Sequence, residues 1–307
     1  MSFFRGQDPA AGNAWQCDAI KQVIVPRSVD LGDGFAVRRA LPSAQSRMVG
    51  PFVFFDHFGP AEFRAGHGLD VRPHPHIGLA TVTYLFDGEI MHRDSLGTAA
   101  PVKPGEINLM TAGRGIVHSE RTGTELRETG SPIHGLQMWV ALPAAKEEMA
   151  PGFAHHEVDE FPMVRGDGLF ARVVMGDAYG EKSPVPTTHE TLFVNMAMRP
   201  GASAPLDASH EERAIYTVRG TVEIAGDRFE PGRLLVFKPG DRITVTALDD
   251  AHFVILGGAP MDGPRHIWWN FVSSRKDRIE QAKADWKAGH FDKVPGDEIE
   301  FIPLPEK

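Results

Sequence analysis

Three histidines and a glutamate are spaced as a metal site needs them. The segment Arg72-Pro-His-Pro-His-Ile-Gly78 sets His74 and His76 two residues apart, and Ile116-Val-His-Ser-Glu120 sets His118 and Glu120 two apart. In an extended strand, residues i and i+2 project from the same face. Each pair can therefore direct two donors at one ion, and Pro75 stiffens the backbone between the first two. Three imidazoles and one carboxylate suit a borderline divalent transition ion, with Fe(II), Mn, Ni, Cu and Zn all compatible. Four protein donors leave two positions of an octahedral shell open, which O₂ or a chelating substrate requires. A lone histidine in a strand is more often a core or surface residue than a ligand. Two ligand-spaced pairs reverse that balance.

The other histidines, of 14 in all, lack this spacing. His155-His156-Glu157 resembles a ligand cluster, but neighbours in an extended chain point to opposite faces, so a solvated loop is expected there. His92 and His134 flank strands and suit either a barrel mouth or a turn. The glycine-rich Thr111-Ala-Gly-Arg-Gly115 lacks the Lys-Ser/Thr of a phosphate loop, and no G-x-S-x-G elbow occurs. Cys17 is the single cysteine, which excludes an intrachain disulfide framework and a cysteine-rich metal site.

The elements that must carry these pairs read as strands. Short apolar, β-branched and aromatic runs at 23–25, 52–55, 80–86, 89–91, 107–110 and 136–142 alternate with Gly, Pro, Asp and Asn. Asp87-Gly88 predicts a hairpin turn. Pro143–Pro151 predicts a short helix or linker, and a domain boundary is expected near it. A second strand-rich block follows over 169–256, with hairpins expected at Arg219-Gly220 and Ala225-Gly226-Asp227. Tyr84-Leu-Phe-Asp-Gly88 is echoed by Tyr216-Thr-Val-Arg-Gly220, and Val102-Lys-Pro-Gly105 by Phe229-Glu-Pro-Gly232. Duplication of one β-barrel explains this weak repeat. After it, Ser274 and Asp277 predict a capped helix start, Ile279, Ala282 and Trp286 one apolar face, and Gly289 the C-terminal stop.

The whole chain fits that organisation. It has 307 residues, 42% hydrophobic and 24% charged, with Gly 32 and Pro 24 scattered along it. The net charge of −9 weighs against direct nucleic-acid binding, which needs a basic face. No stretch is apolar enough to cross a membrane as a helix. The first 16 residues carry one arginine and no apolar core, so no secretory signal is expected and a cytoplasmic setting is the default.

At the histidine motifs the sequence resembles the pirin family, two-barrel members of the cupin superfamily. The likeness runs through HPHIGLATVTYLFDG at 74–88, MTAGRGIVHSE at 110–120 and GLQMWVALP at 135–143, and more loosely over nearly the whole chain. The resemblance implies an all-β fold: two jelly-roll-like cupin barrels in tandem with a C-terminal amphipathic helix. Its division would be 1–148, the metal-binding barrel, and 149–307, a barrel without metal ligands plus the helical tail. It implies one metal, Fe(II) foremost, held by His74, His76, His118 and Glu120. It also implies quercetin 2,3-dioxygenase-like cleavage of a flavonol or related enolisable aromatic with O₂, Glu120 taking the substrate proton. A non-enzymatic, redox-responsive binding protein with a protein partner is the alternative, and a cupin isomerase or hydrolase with a redox-inert ion ranks third. Ile77 and Ala80 stand where the family pattern HPHRGFETV carries Arg and Glu, which predicts a less charged pocket. In the second barrel, Leu206 and Ala208 fall opposite His74 and His76, so no metal is expected there.

Overall fold

The computed structural model describes residues 17–30, 35–206 and 208–306. The segment read as lacking a secretory signal lies outside them. The first repeat begins with β1 (Ile20–Ile24), β2 (Arg27–Asp30), β3 (Ala36–Leu41), β4 (Phe52–Phe63) and β5 (Asp70–His76). It continues through β6 (Leu79–Gly88), β7 (Ile90–Asp94), β8 (Ala99–Val102), β9 (Ile107–Thr111), β10 (Ile116–Arg121), a helical turn α1 (Thr124–Thr129) and β11 (Ser131–Ala141).

The second repeat opens with β12 (Gly152–His156), β13 (Met163–Gly166), β14 (Leu169–Met175) and a small ribbon, β15 (Asp177–Ala178) with β16 (Glu181–Lys182). Its body is β17 (Thr191–Met198), β18 (Ser203–Leu206), β19 (Glu212–Arg219), β20 (Val222–Ile224), β21 (Asp227–Phe229), β22 (Leu234–Phe237), β23 (Ile243–Ala247) and β24 (Ala251–Gly258). The tail adds β25 (His266–Trp268), β26 (Phe271–Ser273) and α2 (Lys276–Ala288).

Each barrel pairs a seven-stranded with a four-stranded sheet. The orders are β12-β9-β6-β11-β4-β3-β2 with β5-β10-β7-β8, and β1-β22-β19-β24-β17-β14-β13 with β18-β23-β20-β21. The two lists correspond position by position, so the chain is a duplicated barrel and the fold is all-β, two cupin-type barrels in tandem. The correspondence also reveals an exchange. The leading strand of each repeat lies in the other repeat's sheet: β1 pairs with β22 and β12 with β9. The division at 148/149 therefore cuts across the strand pairing.

The turns explain how one ribbon makes two sheets. Asp87-Gly88 is not a hairpin. It passes the chain from β6 in the large sheet to β7 in the small one, as Arg219-Gly220 does from β19 to β20. Gly88 has φ +85°, and a Cβ there would sit 2.2 Å from Pro132 O. The hairpin expected at Ala225-Gly226 does form, between β20 and β21.

Outward-facing apolar residues of the two large sheets, among them Val82, Tyr84, Leu136, Phe193, Tyr216 and Val254, meet in one core between the barrels. The interior of the second barrel is filled by aliphatic and aromatic side chains such as Val173, Val194, Ile215 and Ile255. The tail does not stay with the second barrel. It returns to the first, where Ile279 and Ala282 of α2 pack on Phe271 and Ile77. Ser274 does not cap α2, since Arg275 holds the N-cap position without a side-chain bond. Ser274 Oγ donates instead to Glu147 Oε2 at 2.9 Å. Gly289 does stop the helix, at φ +74°. Among the described residues no helix is long and apolar enough to cross a membrane.

Candidate metal centre

His74 and His76 end β5, and His118 lies on β10, directly opposite His74 in the antiparallel ladder. Alternation points all three inward, and Gly78 makes the exit from β5 possible. Its φ is +68°, and a Cβ there would sit 2.0 Å from Val272 O. Among the described residues, His74, His76 and His118 form a group whose ligand atoms all lie within 4.8 Å of one another. His76 Nε2 and His118 Nε2 are 3.1 Å apart.

The far nitrogens are occupied. His74 Nδ1 donates to Arg72 O at 2.9 Å and His76 Nδ1 to Asn270 O at 3.0 Å. His92 Nε2 donates to Asp94 Oδ2 at 3.0 Å, and its Nδ1 faces His118 Nδ1 at 3.5 Å. Burial keeps the rings neutral: His74 is lowered to about 4, and His76 and His118 fall well below the ordinary histidine value, neighbouring imidazoles adding to the effect. A neutral imidazole that donates from Nδ1 presents a lone pair at Nε2. Lone pairs converging in a buried space are what a cation resolves, and ligation at about 2.0–2.1 Å sets adjacent nitrogens roughly 3 Å apart. The residues fit a divalent transition ion.

Glu120, two residues on from His118, is not among the three residues whose ligand atoms lie within 4.8 Å of one another. A bulge between His118 and Glu120 shifts the pairing with β5. The carboxylate reaches the opposite sheet, where Thr83 Oγ1 donates to its Oε1 at 3.0 Å. Burial raises its pKa, with His92 and the bonds to Thr83 and Gln137 opposing.

Thr83 belongs to a polar belt that the sequence reading missed. In register across β12, β9, β6, β11, β4 and β3 run His155, Asn108, Thr83, Gln137, Asp56 and Arg39. Arg39 grips Asp56 through two bonds of 2.7 and 2.6 Å. The same row of the second barrel is Val23, Leu235, Ile215, Ile255, Val194 and Val173. The available signal was single polar residues inside apolar strands, as in INLMT or LQMWVA.

Other expectations are revised. His155 and His156 are in strand β12, not a loop; His155 Nδ1 meets Asn108 Oδ1 at 2.7 Å. Ile77 and Ala80 do not face the site. Ile77 packs under α2 and Ala80 lies in the core between the barrels, so their apolar character follows from packing. His134 sits at the junction of the barrels, 2.8 Å from His57. In the second barrel, Leu206 pairs with Ile243 where His74 pairs with His118.

Known proteins with this arrangement share a family. The profile described as Pirin matches residues 34–140, and the Pirin C-terminal cupin domain matches residues 193–292. A pirin-like protein of Caulobacter vibrioides is 52% identical over 290 residues, 94% of this chain and 100% of that one. Pirin of Homo sapiens is 34% identical, covering 86% of this chain and 90% of its own. The crystal structure of a quercetin 2,3-dioxygenase from Acinetobacter baumannii superposes with a TM-score of 0.86 at 34% identity, over 93% of this chain and 95% of that one.

Proposed function

Because the chain belongs to the pirin family, we propose that it is a metal-dependent dioxygenase cleaving a flavonol of the quercetin type or a related enolisable aromatic. The observation that carries this reading is the buried convergence of His74, His76 and His118, with two Nε2 atoms 3.1 Å apart and each far nitrogen engaged. Its likeness to the solved quercetin 2,3-dioxygenase adds support. His74, His76 and His118, with Glu120, would hold the ion, Fe(II) foremost. A bound ion of this kind supplies Lewis acidity and reactivity toward O₂.

The protein's own groups do the rest. Glu120 accepts the proton of the substrate hydroxyl; burial has raised its pKa, so the ionised carboxylate is a stronger base than one in water. Thr83 holds the carboxylate at Oε1, so that it faces the barrel interior. Trp139, edge-on to His76 with ring centroids 5.1 Å apart and stacked on Phe54, walls the site and limits water. The partners in this reading are the aromatic substrate and O₂, with no nucleic acid and no membrane. A reducing cytoplasmic compartment, in which iron stays ferrous, suits a chain with one cysteine.

The test is aerobic turnover of quercetin, followed by O₂ uptake, with protein stripped of metal and reloaded with Fe(II), Mn(II) or Ni(II). Consumption of quercetin in a loaded form and none in the stripped form is expected. No turnover in any loaded form would sink the assignment.

A further inference from the structure

One amide inside the first barrel is only half satisfied. Asn108 is 2% exposed and its Nδ2 has no hydrogen-bond partner among the described residues. Its neighbours Ile107 and Leu109 point the other way, into the core between the barrels. Asn108 therefore faces the interior, directly opposite Thr83 in the ladder, and Thr83 holds Glu120. A buried amide left unpaired is costly, and natural folds rarely keep one without use.

The amide is also held in one orientation. His155 Nδ1 donates to Asn108 Oδ1 at 2.7 Å, and His155 Nε2 lies 3.8 Å from Glu106 Oε2. With Oδ1 accepting from the strand behind it, both Nδ2 hydrogens project forward. The fold itself does not require this polarity. The second barrel places Leu235 at the same position of the same row.

We propose that Asn108 is a substrate-binding residue whose Nδ2 donates a hydrogen bond to a second oxygen of the substrate, a carbonyl or phenol oxygen of a multiply oxygenated aromatic. His155 is the positioning residue that aims it. The inference rests on the dioxygenase reading and specifies what its substrate must carry: one oxygen for the ion and another for Asn108.

The experiment is anaerobic titration of the metal-loaded full-length protein with quercetin, reading the dissociation constant, with metal content and melting temperature measured alongside. Asn108→Leu installs the residue that the second barrel accepts, and Asn108→Asp keeps the shape while removing the donor. Both should weaken quercetin binding about tenfold, the worth of one hydrogen bond, with metal content unchanged. His155→Phe should weaken it less, about threefold, because the amide is then free to turn. Dissociation constants within about twofold of wild type for both Asn108 variants overturn the proposal, as does loss of metal in place of loss of affinity. If the wild type turns over quercetin while the variants match it, only the role of Asn108 falls. If the wild type neither binds nor consumes quercetin, the dioxygenase reading falls as well.

Discussion

A metal-ligating imidazole almost always has its second nitrogen hydrogen-bonded, and the surroundings here provide those partners. Arg72 O, Asn270 O and the His92–Asp94 pair each engage the Nδ1 of one ring, so that the Nε2 lone pairs meet. Burial keeps the rings neutral, which suits them to bind a cation. His74→Ala or His118→Ala should each reduce bound metal from one per chain to a small fraction, measured by elemental analysis after dialysis. His92→Phe removes the support of His118 and one partner of the buried Asp94, whose other oxygen keeps its bonds to the backbone N–H groups of Leu96 and Thr98. It should weaken metal affinity by about 10–100-fold, the usual cost of losing such a partner, with some loss of stability from Asp94. Full metal content in both alanine variants would refute the site.

At the scale of elements, the two large sheets show what a row of side chains decides. The same backbone register carries Arg39, Asp56, Gln137, Thr83 and Asn108 in one barrel and five aliphatic residues in the other. The polar row holds Glu120 through Thr83 and Gln137. It also carries a liability, a buried ion pair at Arg39 and Asp56. Arg39→Val, leaving Asp56 uncompensated, should cost about 3–5 kcal/mol in chemical denaturation. Arg39→Val with Asp56→Val installs the residues of the second barrel and should recover most of that loss. A double variant as unstable as the single would show that the pair does more than balance itself.

At the scale of the molecule, the exchanged strands and the returning tail make two barrels behave as one. The inter-barrel junction holds His57, His134, Arg38 and Tyr216 in close contact, with His252 reaching it through Phe86: His57 Nδ1 lies 2.9 Å from Tyr216 OH, and Arg38 Nη2 lies 3.2 Å from His57 Nε2. Burial, with Arg38 adding to it, lowers His57 from 6.5 to about 2; burial and Arg219 lower His252 to about 4. The unfolded chain takes up protons at these sites as pH falls through 6.5, and the folded chain does not. Stability is therefore lost as pH falls below that value, by up to about 1.4 kcal/mol per pH unit for each group. The contribution of His252 stops changing below about 4. Calorimetry of the metal-free protein should show one transition whose midpoint falls steadily with acidification. His57→Phe should flatten that dependence by about one histidine's share. An unchanged slope would remove His57 from the account.

Much of this was legible in the chain. Spacing of two within strands marked His74, His76 and His118, because the pleat sends alternate residues to one face whatever the rest of the fold does. Turn residues and the Tyr84 and Tyr216 echo marked the duplication, and alignment of the two repeats already left the second barrel without ligands. Glu120 was legible as a partner by the same spacing, but the hydroxyl that takes its carboxylate, that of Thr83, comes from the opposite sheet and is invisible to local spacing. Asp87-Gly88 was legible as a turn, but which sheet the next strand joins depends on pairing with residues far along the chain. The exchange of β1 and β12 and the return of the tail belong to the same class. His76 shows the reason in one bond: its place in the ligand set follows from Pro75 and the pleat, while its orientation comes from the carbonyl of Asn270. Local sequence determines which way a side chain points from its strand. Only the tertiary structure decides what it meets there, because the partners arrive from distant parts of the chain through the packing of whole sheets.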